Sequence, residues 1–290
     1  MYQANIRIFY PDLSGRIVLR TEQDWNRDVE AHTVSDNGEI HEFHITYHLP
    51  GLQFKPCIRD GSLFHWSAGA NKLLIFRGDV QTYDFYPCFF SGAQGEISGV
   101  FEVPSSILNR NQRIRLYLPP GYFENQLKRY PVLYMHDGTN LFFPQESFLG
   151  QEWKIDETND LLSSMNLIDQ TIVVGIYAAD RFRDYTQPGY ESYGRSLVEE
   201  IKPWVDENLR TLSGPKHTFV MGSSLGGVVS FYLAWQWPEV FGGAGCLSST
   251  FSYRDDLVDR VRAEESDSRK HLRIYLDSGW PGDNYEVTLH

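Results

Sequence analysis

The spacing of apolar positions divides the chain into two stretches. Up to about residue 98 it runs as short β-type segments cut by turn residues: 6–11 (IRIFYP), 15–21 (GRIVLRT), 42–50 (EFHITYHLP), 52–60 (LQFKPCIRD) and 71–78 (NKLLIFRG). No stretch there keeps a helical period, so residues 1–98 are expected to form a small antiparallel β-sandwich. Beyond a mixed aromatic and glycine segment, the runs 113–120, 130–136, 170–177, 216–222, 242–248 and 271–277 are continuously apolar, as in strands buried on both faces. Between them Ile155–Met165, Tyr193–Leu209, Gly226–Gln236 and Asp255–Glu265 have helical length and spacing. Repeated strand-then-helix order predicts, for residues 99–290, a mainly parallel sheet with helices on both faces.

Composition narrows the function classes. A net charge of −12 argues against nucleic acid or an anionic membrane surface as a partner. At 41% hydrophobic and 14% aromatic the chain has the makings of a packed core. No apolar run reaches the ~20 residues of a membrane span. The opening MYQANIRIFYP lacks a basic segment followed by an apolar one, so a cytoplasmic location is expected. Cys57, Cys88 and Cys246 are odd in number and far apart, which favours reduced, buried thiols over a disulfide framework or a zinc cluster. With no metal-ligand spacing, dinucleotide fingerprint or phosphate loop, no cofactor is expected. Nothing in the pattern sets the oligomeric state.

The chemistry centres on 217–227, HTFVMGSSLGG, a strand running into Gly222-Ser223-Ser224-Leu225-Gly226. This is a G-x-S-x-G, in which glycines on either side of the serine allow the sharp strand-to-helix turn that lifts a nucleophile above a sheet. Ser224 is the candidate nucleophile; Ser223 has the bulkier flanks Met221 and Leu225. The helix that follows aims free N–H groups and a positive dipole end at the same place. One oxyanion-hole N–H is then expected from Leu225 and the other from Gly138, or its neighbour Asp137, in the HDGTN loop after 130–136.

A triad in the order Ser, acid, His needs a carboxylate after a later strand. Asp283, in the loop after 271–277, is preferred, with Asp277 capping the strand end. His136 is expected to shape the loop; His217 and His271 open strands at the far end of the sheet; His290 would have to fold straight back. The general base is therefore expected beyond residue 290. Phe142, Phe143, Phe148, Trp153, Tyr185, Tyr190 and Trp280 are candidates for an acyl or aryl pocket, and Arg181 and Arg183 for contact with an anionic substrate.

YPVLYMHDGTNLFF, the segment WKIDE at 153–157, VVGIY followed by Arg181, Tyr185 and Pro188, the Tyr193–Leu209 helix and VMGSSLGGVVS together resemble an esterase family. That family includes enterochelin esterases, feruloyl and acetyl-xylan esterases and S-formylglutathione hydrolase. The likeness covers about residues 112–290. It implies an α/β-hydrolase fold, Ser224 as nucleophile and Asp283 as the acid of a G-x-x-D loop, with a histidine some tens of residues further on. Asp24-Trp25, Phe54-Lys55-Pro56 and 65–71 (HWSAGAN) resemble the order of motifs in starch-binding-type and immunoglobulin-like modules. On that likeness Trp25 and Trp66 are candidates for stacking on sugar faces, although a sandwich that shapes the active-site mouth is the stronger expectation. The function expected is serine carboxylic-ester hydrolysis of a small-molecule substrate, including carbohydrate-linked esters. The alternatives are a non-catalytic carbohydrate-binding protein on a degenerate hydrolase, and acyl transfer to a sugar hydroxyl.

Overall fold

The computed structural model describes residues 1–11, 15–265, 269 and 271–279. They gather into two compact units that no single cut separates. The first takes Met1–Gly95 together with Pro119–Arg129 and Glu157–Gln170; the second takes the remainder.

In the first unit the strands are β1 (Tyr2–Phe9), β2 (Arg16–Thr21), β3 (Asp24–Glu30), β4 (Thr33–Val34), β5 (Ile40–Tyr47), β6 (Gly51–Asp60), β7 (Leu63–Trp66), β8 (Lys72–Ile75) and β9 (Gln81–Phe85). One sheet has the order β4-β5-β1-β9, the other β3-β2-β6-β7 with β8 also on β6. Alternate residues point into a shared core: Ile6, Ile8 and Phe43 from one sheet, Ile17, Leu19 and Phe54 from the other. Most pairings are antiparallel, but β1 and β9 run parallel, because the chain passes through the second sheet before returning beside its own start. The strand β3 has no apolar alternation to betray it. Its Asp28 is held instead by Arg20 at 2.6 Å and Arg59 at 2.5 Å.

Two half-buried carboxylates explain why the outlying segments join this unit. Glu124 accepts the N–H groups of Phe89, Phe90 and Ser91 and the hydroxyl of Tyr10. Asp160 accepts the N–H of Gly95 at 2.9 Å.

The second unit is built on β10 (Glu96–Ser105), β11 (Arg110–Leu118), β12 (Val132–His136), β13 (Ile172–Ile176), β14 (Thr218–Ser223), β15 (Gly243–Leu247) and β16 (Arg273–Leu276). Among the described residues their order is β10-β11-β13-β12-β14-β15-β16. The pairs from β13 through β16 are parallel and β10 and β11 are antiparallel, an α/β-hydrolase-like arrangement. The helix α1 (Ile155–Ser164) falls mostly within the first unit; the helices of the second are α2 (Arg181–Asp184), α3 (Gly189–Ser196), α4 (Lys202–Asn208), α5 (Leu225–Gln236) and α6 (Leu257–Ala263). The single helix read over Tyr193–Leu209 is widened by a π turn at Leu197–Ile201. Pro203 follows two residues later; it has no N–H to donate and its ring crowds the preceding turn. No helix among the described residues is long and apolar enough to cross a membrane.

The π turn presents Glu200 to the end of β10, where it accepts from the hydroxyls of Ser105 and Ser106 and the N–H groups of Ser106 and Ile107. Burial works against this charge, but the hydrogen bonds outweigh it and hold the carboxyl at about 2, below its ordinary 4.5. A depressed folded-state pKa adds stability above 4.5 that is lost as pH falls toward 2. Glu200→Gln should thus lower the urea-unfolding free energy at neutral pH by about 1–3 kcal/mol. The gap from the natural chain should close across that acid range.

Candidate active site

β14 passes into α5 through one residue. Ser224 has φ 57° and ψ −120°, a conformation that strains any residue with a side chain. Its N–H donates to Leu247 O of β15 at 2.8 Å. A Cβ at Gly222 would lie 2.6 Å from the carbonyl group of Gly226, so strand and helix meet closer than any side chain allows. At the start of α5 the N–H groups of Gly227 and Val228 turn back to Ser224 O at 3.1 and 3.2 Å. The amides of Leu225 and Gly226 precede the helix's own acceptors, at its positive end.

β12 lies beside β14 in parallel, with Met135 opposite Met221. The turn after β12 therefore emerges next to the elbow at the C-terminal edge of the sheet, where open α/β sheets bind ligands. Asp137 is left-handed, φ 58° and ψ 50°, and starts a 3₁₀ turn at Gly138–Asn140. Asn140 N–H closes that turn on Asp137 O at 2.8 Å. Asp137 N–H donates to the Tyr185 hydroxyl at 3.3 Å. The amides of Gly138 and Thr139 lie ahead of the turn's own acceptors. Leu225 and Gly138 are thus brought to one edge of the sheet, together with the amide of Thr139, which sequence reasoning did not single out.

Beneath this edge lies a buried polar cluster. Asp137, only 4% exposed, takes the Arg181 fork through Nε at 2.8 Å and Nη2 at 3.1 Å. Burial raises its carboxyl above the ordinary value, and Arg181 pulls the other way. His136 is fully buried, with Nδ1 2.9 Å from the Tyr193 hydroxyl. Burial pushes it down to about 3, so at neutral pH the ring is uncharged and serves as a packing and hydrogen-bonding group. Burial likewise holds the Tyr185 and Tyr193 hydroxyls well above their ordinary value.

Asp277, just past β16, accepts the Ser248 N–H at 2.6 Å and so ties two loops of the same edge. Asp283 and Trp280 lie outside the described residues. His217 and His271 precede β14 and β16, at the opposite edge of the sheet. Of the aromatic candidates, Phe142, Tyr185 and Tyr190 are buried, whereas Phe148 is 76% exposed.

The family model described as "Putative esterase" matches residues 105–290. The chain belongs to this esterase family. It is 29% identical over 150 residues to the uncharacterized protein YbbA of Bacillus subtilis (strain 168), covering 50% of this chain and 59% of that protein. It is 27% identical over 222 residues to an endo-1,4-beta-xylanase/feruloyl esterase of Xylanibacter ruminicola, covering 72% of this chain and 30% of that one. The crystal structure of enterochelin esterase from Shigella flexneri shares the fold, with a TM-score of 0.54 at 15% identity, over 98% of this chain and 82% of that one.

Read as sequence, Arg181 was a candidate contact for an anionic substrate and Tyr185 a candidate for an acyl or aryl pocket. In this family member Arg181 and Tyr185 both converge on Asp137, one on its carboxylate and one on its N–H. Arg181 also spends two of its donors inward, which argues against a guanidinium aimed at an anionic substrate.

Strain at the elbow is testable apart from any activity. Ser224→Gly should be more stable than Ser224→Ala by about 1 kcal/mol, because glycine adopts a positive φ without penalty. Gly222→Ala should cost about 1–3 kcal/mol through its clash with Gly226. Urea unfolding of the three variants checks both.

Proposed function

We propose that the chain is a serine-dependent carboxylic ester hydrolase acting on a small-molecule ester. Ser224 Oγ attacks the ester carbonyl carbon, and its proton passes to a histidine oriented by Asp283. The tetrahedral oxyanion is held by the Leu225 amide and by amides of the Gly138–Asn140 turn. The histidine then protonates the departing alcohol as the acyl–oxygen bond breaks. Water, deprotonated by the same histidine, attacks the acyl-enzyme to release the carboxylic acid and restore Ser224. The order Ser, Asp, His puts the base after Asp283 in the chain.

The conformation of Ser224 carries this reading: a serine held at φ 57° on the N-terminus of α5, beside a turn whose first two amides, Gly138 and Thr139, face no helical acceptor. Without a function, a glycine would fill that position at lower cost.

A carbohydrate-linked alcohol is favoured by two observations. The Xylanibacter relative's name pairs a xylanase with a feruloyl esterase. In the first unit, Trp66 is 43% exposed, with Phe64 edge-on at 5.1 Å and Trp25 at 6.3 Å. Such an aromatic group suits a sugar face, in line with a module of the starch-binding or immunoglobulin-like type.

In the natural full-length protein, Ser224→Ala should lower kcat/KM for p-nitrophenyl acetate by about 10⁴-fold or more. Undiminished hydrolysis would exclude Ser224 as the nucleophile. Trp66→Ala should raise KM for a feruloylated xylo-oligosaccharide and leave p-nitrophenyl acetate unaffected; equal effects on both would remove the sugar reading.

A further inference from the structure

We propose that Arg181 is a positioning residue for this hydrolysis: its two-pronged grip on Asp137 sets the aim of the amides that hold the oxyanion. The inference rests on the hydrolase reading above and adds to it a residue that does not touch substrate.

Asp137 stands at the hinge where β12 becomes the 3₁₀ turn, and its left-handed conformation decides where the next two amides, Gly138 and Thr139, point. An aspartate tolerates that conformation better than most residues, yet it still needs to be held there. Its carboxylate is held by Arg181 Nε at 2.8 Å and Nη2 at 3.1 Å, a planar fork that fixes orientation as well as distance. From the other side, the Tyr185 hydroxyl takes its N–H at 3.3 Å.

The same carboxylate also lies against the second half of the candidate oxyanion hole. A Cβ at Gly226 would come to 3.2 Å from Asp137 Oδ2, so this oxygen sits beside the first turn of α5, one residue after the Leu225 amide. Asp137 therefore borders both donor groups: it is bonded directly to Gly138 and packed beside α5. An ion pair that fixes Asp137 fixes the spacing between them.

Arg181 is itself anchored. Asp180 caps α2 by accepting the Arg183 N–H at 3.2 Å. Asp184, 2% exposed, is gripped by Arg110 of β11 at 2.5 and 3.2 Å. Two ion pairs in series thus run from β11 through α2 to the turn after β12. This arrangement fits a strut better than a binding arm, even though the Arg181 side chain is 43% exposed.

The test compares Arg181→Gln and Arg181→Lys with the natural full-length protein. Four readouts are used: kcat and KM on p-nitrophenyl acetate, kcat and KM on an ester bearing a free carboxylate, affinity for a trifluoromethyl ketone that forms a tetrahedral adduct, and Tm. Arg181→Gln should lower kcat about 10²-fold with KM near its natural value, because a misplaced donor costs transition-state rather than ground-state binding. Affinity for the ketone should fall in step. Arg181→Lys, which keeps the charge and most of the stem but not the fork, should fall between the two. If Arg181→Gln fails to fold, Arg181→Lys alone decides: a kcat and ketone affinity equal to the natural protein's would overturn the proposal. A fall in Tm with kcat and ketone affinity unchanged would mark the pair as purely structural. A rise in KM confined to the anionic ester would make Arg181 a substrate contact, and either result overturns the proposal. A natural protein that neither hydrolyses the ester nor binds the ketone would refute the hydrolase reading itself, and this inference with it.

Discussion

The approach of β14 to α5 is the constraint on which the second unit is organised. The backbone at Gly222 lies so close to Gly226 that a single added carbon would sit 2.6 Å from its carbonyl group. That closeness forces the chain to reverse within one residue, and Ser224 pays for the reversal with a positive φ. The strain persists because the surroundings hold the residue on several sides. Its N–H is bound to β15, its carbonyl accepts from the first turn of α5, and its neighbours are locked into a parallel sheet. A polar side chain is thereby presented at a helix N-terminus, where negative charge is stabilised.

Around this elbow, ion pairs and carboxylate hydrogen bonds tie the elements together. Arg110 holds Asp184 and Arg181 holds Asp137, so the turn after β12 is tied back to β11 through α2. Glu200 ties the π turn to the end of β10. Burying the carboxylate of such a pair costs desolvation, which its hydrogen-bonded partner offsets while fixing its geometry. His136 shows the opposite solution: with no carboxylate among the described residues bonded to its ring, it is buried as a neutral ring against Tyr193.

Much of the sheet was legible in the sequence because its central strands, β12 to β15, are largely apolar runs, while the last, β16, is mostly exposed. The six continuous runs correspond to β11 through β16, each within a few residues. The elbow was legible for a related reason, since glycines flanking a serine between strand and helix have few other uses. What escaped was held by polar interactions. The strand β3 is secured by Asp28 between two arginines, and the π turn arises from Pro203 and Glu200 rather than from any apolar period. The segments 119–129 and 157–170 join the first unit through Glu124 and Asp160, a link between distant residues that no local pattern encodes. At the site, the left-handed Asp137 and the place of the Thr139 amide follow from a turn geometry that HDGTN permits but does not require. Asp283, read from the motif, lies outside the described residues.

The most direct measurement is covalent labelling. A fluorophosphonate reacts with a serine only when its hydroxyl is activated and the developing oxyanion is held, so it reports nucleophile and hole together. The natural full-length protein, treated with such a probe and analysed as intact protein and by peptide mapping, should gain one adduct, located on Ser224 and absent from Ser224→Ala. An adduct on Ser223, or continued ester hydrolysis by a protein that takes no label at Ser224, would contradict the role assigned to the elbow.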